Sequence, residues 1–219
     1  MSISRHPKHN FLIERIAFFS DAVFAIAITL LTIEIHPPVL TLADSSWDVM
    51  HKLKEKLPDF LGLVASFWLI GSAWLRHHQL FKYVDNYDIK FKVMNLFLLL
   101  TIIFFPFTTS FLFNTIFSGI VTKPQVIFYL VLPLSSNIIL YRMFRLVNRK
   151  HLNGATDKEF EDSMVVQRYL IVSFILALLW IIILPIGYHP FGYIFLFLGM
   201  ILNIINKRKN KKPAPHAKS

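Results

Sequence analysis

Long apolar runs alternate along the chain with short polar connections, and each run approaches the roughly 20 helical residues that cross about 30 Å of hydrocarbon. Six such segments are expected, at about 11–35, 58–81, 90–113, 124–147, 164–184 and 191–205. The first ends before Pro37-Pro38, which cannot continue a helix. A polar loop follows, with Asp44, Asp48, Glu55 and three lysines, and Trp47 suited to an interface. Pro58 opens the second segment, where a missing N–H costs little. Pro106 is expected to kink the third, Pro133 and Asn137 sit inside the fourth, and Pro185 and Gly187 close the fifth. The reading is one all-α membrane domain over residues 1–206, with a disordered basic tail over 207–219 that contains Lys207-Arg208-Lys209-Asn210-Lys211-Lys212.

Composition supports the membrane class. The chain has 219 residues, 55% of them hydrophobic and 16% charged, with a mean hydropathy of +0.54. A net charge of +10 would suit a nucleic-acid partner, but the basic residues lie in short segments between apolar runs, so none is expected. Of the 23 Lys and Arg residues, only Lys52, Lys54, Lys56 and Lys123 fall on outer connections if the N-terminus is inside. The positive-inside rule therefore orients both termini to the cytoplasm of a multi-pass protein in the cell's inner (plasma) membrane. Without cysteine there is no disulfide, thiolate metal site or thiol catalysis. No nucleophile–base pair or metal-ligand spacing replaces them, so neither an enzyme nor a cofactor is expected. Ala25-Ile26-Ala27 has the small-x-small form of a leader-cleavage site, but Arg15, Ser20 and Asp21 would interrupt the apolar core of such a leader.

The first segment carries the chemistry. At about 100° per residue, Arg15, Phe19, Ala22, Ile26, Thr29, Leu30 and Ile33 share one stripe, with Ser20 and Asp21 to either side of it. Such a stripe can be an ordinary packing seam. If it faces a pore, its branched levels form dewetting constrictions, and the Thr-Val-Gly-Tyr-Gly carbonyl filter is absent. Arg15 at a helix end can snorkel to headgroups. Asp21, about two turns inside the segment, needs a partner at that depth. Trp74, His77 and His78 end the second segment at the same level and offer indole or imidazole N–H groups to Asp21 or Ser20. Those histidines are read first as structural and second as proton sensors. Asn95, Asn137 and Asn203 are read as helix-to-helix links, and Glu34, Asp44 and Asp48 as solvated charges at the outer mouth.

Arg15-Ile16-Ala17-Phe18-Phe19-Ser20-Asp21 resembles the Arg-x-x-x-Phe-Ser-Asp signature of the transmembrane protein 175 family, lysosomal potassium channels of animals and their prokaryotic relatives. The resemblance implies a potassium channel whose first helices surround a pore, narrowed at Ile26 and then at Leu30 and Ile33. It also implies that Arg15, Phe19, Ser20 and Asp21 hold that helix against its own subunit. Animal members carry two six-helix repeats and this chain one, so the expectation is a prokaryotic member forming a homotetramer in the bilayer, with potassium as the permeant ion. The competing reading is a secondary transporter or proton-permeable pathway using Asp21, His77 and His78.

Overall fold

A computed structural model describes residues 7–84, 88–116, 121–151 and 158–185. The expected sixth segment at 191–205, the tail and Asn203 lie outside the described residues. Within them the chain is all-helical: α1 (Pro7–Ile33), α2 (Ser46–Glu55), α3 (Leu57–Phe81), α4 (Ile89–Ile103), α5 (Phe105–Ile116), α6 (Lys123–His151) and α7 (Lys158–Ile183). Among the described residues, five spans are long and apolar enough to cross a membrane: α1, α3, α4 with α5, α6 and α7. The protein is a multi-pass membrane protein.

α1 stops at Ile33, ahead of Pro37-Pro38. The polar loop after it contains an unexpected helix, α2, started by a reciprocal cap. Ser45 Oγ accepts from the Asp48 N–H at 3.3 Å, and Asp48 Oδ2 accepts from the Ser45 N–H at 2.9 Å. Just before it, Asp44 Oδ2 accepts from Lys52 Nζ at 2.6 Å and from the Thr41 N–H at 2.7 Å. The Lys52 hydrogen bond, then that of Thr41, holds the Asp44 carboxyl below its ordinary value. Asp48 is lowered by the Ser45 hydroxyl and then by the Ser45 N–H. Lys56 alone separates α2 from α3.

The third span breaks instead of merely kinking. α4 ends at Ile103 and α5 begins at Phe105. Pro106 has no N–H to give, and the local carbonyls are taken up by hydroxyls. Thr108 Oγ1 donates to the Phe104 and Phe105 carbonyls at 3.2 and 3.1 Å, and Thr109 Oγ1 to Phe105 at 2.7 Å. In α6, Asn137 Nδ2 and Ser136 Oγ both donate to the Pro133 carbonyl, at 2.6 and 3.0 Å.

α1 packs on α3, α4 and α5, while α6 packs on α4 and α7. One buried cluster, including Phe24, Leu31, Ile70, Leu98 and Phe144, joins α1, α3, α4 and α6. A second, including Leu112, Leu130, Phe174 and Ile181, joins α5, α6 and α7. Between α3, α5 and α6, Ser66 Oγ shares hydrogen bonds with Thr109 Oγ1 at 2.7 Å and Tyr129 Oη at 2.9 Å. One turn earlier on α3, Gly62 lies so close to the Phe113 side chain that a Cβ there would overlap the ring.

Candidate functional site on the first helix

α1 has two unlike faces. Ile13, Ser20, Phe24, Ala27 and Leu31, spaced at helical intervals, are buried against α3, α4 and α5. Arg15, Phe19, Ala22, Ile26, Thr29, Leu30 and Ile33 are all exposed on the protomer, Ile26 at 57% and Ile33 at 70%. The stripe expected from the sequence is therefore the helix face turned away from the buried core formed by the described residues. Thr29 Oγ1 donates to the Ile26 carbonyl at 2.9 Å, which leaves its oxygen lone pairs facing outward.

The buried face is held by a polar line with one direction. His77 Nε2 donates to Asn95 Oδ1 at 2.8 Å, Asn95 Nδ2 donates to Ser20 Oγ at 2.9 Å, and Ser20 Oγ donates to the Ile16 carbonyl at 2.8 Å. The last bond fixes the others. Because the Ser20 hydroxyl spends its proton on Ile16, it must accept from the Asn95 amide, so the asparagine oxygen faces the imidazole. Ser20, His77 and Asn95 are each at most 2% exposed, so in this apolar setting every mismatched donor would be costly. Phe24 and Phe81 flank the His77 ring at centroid distances of 5.4 and 4.7 Å.

Beside this line, Trp74 Nε1 donates to Asp21 Oδ1 at 2.9 Å. The carboxylate thus has the indole partner that its depth required. Of the motif and second-segment residues expected to act together, Ser20, Asp21, Trp74 and His77 are brought to the α1–α3–α4 junction.

Arg15, Phe19 and His78 are not. Arg15 lies over the Phe11 ring at 5.8 Å, on the exposed side. Phe19 is 54% exposed because it shares the stripe's helical phase with Ile26. His78 is exposed and touches the Trp74 ring at 5.7 Å. Among the described residues, Arg15 and Phe19 lie on the exposed side of α1, away from the face that carries Ser20. Asn95, expected only as a general helix link, is the centre of the line. Its signal in the sequence is an amide alone among apolar residues of α4, at the depth of His77. Among the described residues, no three His, Asp or Glu side chains gather as metal ligands.

Residues 15–106, from the head of α1 to the break after α4, match the family described as endosomal/lysosomal potassium channel TMEM175. Over this region the chain is similar to the TMEM175 family. Relatives include a potassium channel of Streptomyces collinus, 40% identical over 98 residues, which are 45% of this chain and 46% of the relative. A potassium channel of Chamaesiphon minutus is 39% identical over 98 residues, 45% of this chain and 48% of the relative. The endosomal/lysosomal proton channel TMEM175 of Danio rerio is 35% identical over 86 residues, 37% of this chain and 16% of the relative. The alignments with the two bacterial relatives thus span about half of their length. The crystal structure of a lysosomal potassium-selective channel TMEM175 homolog from Chamaesiphon minutus shares the fold. Its TM-score is 0.69 at 24% identity, covering 91% of this chain and 98% of that one. The TMEM175 match contains the entire polar line, from Ile16 and Ser20 to His77 and Asn95.

Proposed function

We propose that the chain is one subunit of a potassium-permeable channel without a carbonyl filter loop, assembled as a homotetramer in the cell's inner membrane with both termini cytoplasmic. The observation that carries this reading is the division of α1. One face is fastened by Ser20 and Asp21 to α3 and α4, and the other presents an aligned row of branched apolar side chains left exposed among the described residues. Bacterial relatives named as potassium channels support the choice of ion. One such helix cannot enclose a path alone, so closed symmetry supplies the rest of the wall.

In this reading Ile26 forms the narrowest level, Leu30 and Ile33 form further apolar levels, and Ala22 widens the path one turn before Ile26. Thr29 offers a hydroxyl oxygen to a partly dehydrated cation. Potassium surrenders its water more readily than sodium, so an apolar constriction favours it without a carbonyl cage. No cofactor, nucleic acid or enzymatic step enters the scheme.

The test is purified protein in liposomes under separate potassium and sodium gradients. Flux that follows the potassium gradient, faster than that for sodium, is the expected result; impermeable liposomes overturn the reading. Since the chain has no native cysteine, Ile26→Cys, Leu30→Cys and Ile33→Cys report the wall directly. A charged thiol reagent should block each variant, and unaltered flux at all three would remove α1 from the pore.

A second reading, proton permeation through Asp21 with His77 or His78, is favoured by the vertebrate relatives named as proton channels. A pH-gradient dye assay on wild type and Asp21→Asn separates it from the first. Stoichiometric coupling of protons to another solute would instead mark a secondary transporter.

A further inference from the structure

The turn of α3 that supplies Trp74 and His77 to α1 and α4 also turns Arg76 the other way, toward α6. Arg76 Nη2 donates to Asn137 Oδ1 at 3.1 Å, and Asn137 is itself committed to the Pro133 carbonyl. Arg76 Nε is enclosed without a partner, and no carboxylate among the described residues pairs with this guanidinium. On α7, Gln167 is 0% exposed, and both of its amide atoms lack a partner.

Helix register brings these groups to one level. α3 and α6 run in the same direction, as the Ser66–Tyr129 and Arg76–Asn137 pairs show. α7 runs opposite to them, with Lys123 Nζ donating to the Ile182 carbonyl at one end and Phe144 meeting Phe160 at 5.2 Å at the other. Two turns from the phenylalanine pair, Asn137 and Gln167 stand opposite each other. Ser163 Oγ donates to Gln79 Oε1 at 2.7 Å, and one turn further from that bond Gln167 and Arg76 again coincide. Both counts place the guanidinium and the two amides at the α3–α6–α7 junction.

Arg76 is half-buried, but its Nε–H and the Gln167 amide N–H are enclosed donors without an acceptor, and the positive charge beside them favours an anion in that place. We propose that this junction is a binding site for a small monovalent anion of the chloride class, held by the Arg76 Nε–H and the Gln167 amide N–H. The guanidinium retains N–H groups for Gln167 Oε1. Full enclosure of Gln167 leaves no room for a lipid phosphate or a nucleotide.

The test is thermal unfolding of the purified full chain in potassium chloride against potassium gluconate at matched ionic strength of about 0.1 M. Chloride is expected to raise the melting temperature saturably by about 4 °C. Arg76→Gln and Gln167→Leu should each abolish that rise, and crystals grown in bromide should give an anomalous peak between the two side chains. A melting temperature indifferent to chloride in wild type overturns the site, as does a full chloride effect surviving in Gln167→Leu. If Arg76→Gln does not fold, Gln167→Leu and the bromide peak decide alone. A junction containing only ordered water also counts against the site.

Discussion

A single turn of α3 serves two polar junctions that solve the same problem differently. Toward α1 and α4, Trp74 and His77 enter a set of bonds in which every donor has an acceptor. Toward α6 and α7, Arg76 and Gln167 retain buried N–H and C=O groups that the protein itself does not match. A closed arrangement fixes a helix in place; an open one leaves chemistry for something else to complete. The difference is instructive because sequence distance does not predict it: Arg76 and His77 are adjacent.

The comparison can be broken most severely at its centre. Asn95→Leu strands both the His77 N–H and the Ser20 oxygen in an apolar interior, and should cost about 3 kcal/mol. Loss of folded protein on detergent size-exclusion, with a lowered melting temperature, would register it. A variant as stable as wild type would mean that the line does not hold α1. Next, Gly62→Ala probes the far end of α3, away from both junctions. With the Phe113 ring in the way, about 2 kcal/mol of destabilisation is expected, read from the same melting curves.

Asp21→Ala removes the acceptor of the Trp74 indole and should cost about 1.5 kcal/mol, while Asp21→Asn, which keeps an acceptor oxygen, should cost less. Equal losses for the two would put the weight on charge instead of on the hydrogen bond. On the open side, Gln167→Leu removes two unmatched polar atoms, and in chloride-free buffer its stability should fall within about 0.5 kcal/mol of wild type. That near-zero effect against the Asn95→Leu loss is the sharpest statement of the contrast.

The smallest effect belongs to the loop. Asp44 and Asp48 have folded pKa values below the ordinary aspartate value of 3.8, so their stabilisation is present above that value and is lost as pH falls through the lowered range. Amide exchange at Thr41, Ser45 and Asp48 should quicken there, once the acid-dependent intrinsic rate is removed. The membrane helices should remain protected.

What was legible in the chain follows the physics of each signal. Apolar length reveals a span whatever its neighbours, and topology alone sets Trp74 level with Asp21, so that pairing could be anticipated. Which face of α4 meets α1 depends on tertiary packing, which is why Asn95 was recognisable as a link but not as the middle of one. Arg15 and Phe19 belong to the motif by spacing, yet their helical phase carries them away from the protomer core. Arg76 counts with the inner positive charges by position, but packing turns it inward to Asn137. α2 was masked by the charges around it, although Ser45 and Asp48 already had the spacing of a reciprocal cap. The expected kink at Pro106 became a break because Phe104 leaves the helix two residues earlier.

The line from His77 to Ile16 has a further consequence. Asn95 and Ser20 each donate one hydrogen bond forward and accept one from behind, so reversing the line would require a ring proton to move, an amide to flip and a hydroxyl to rotate together. It works as one latch, not three, and its state is written in a single place: whether the His77 hydrogen sits on Nε2. Nitrogen-15 spectra of that one imidazole would report whether the first helix is engaged.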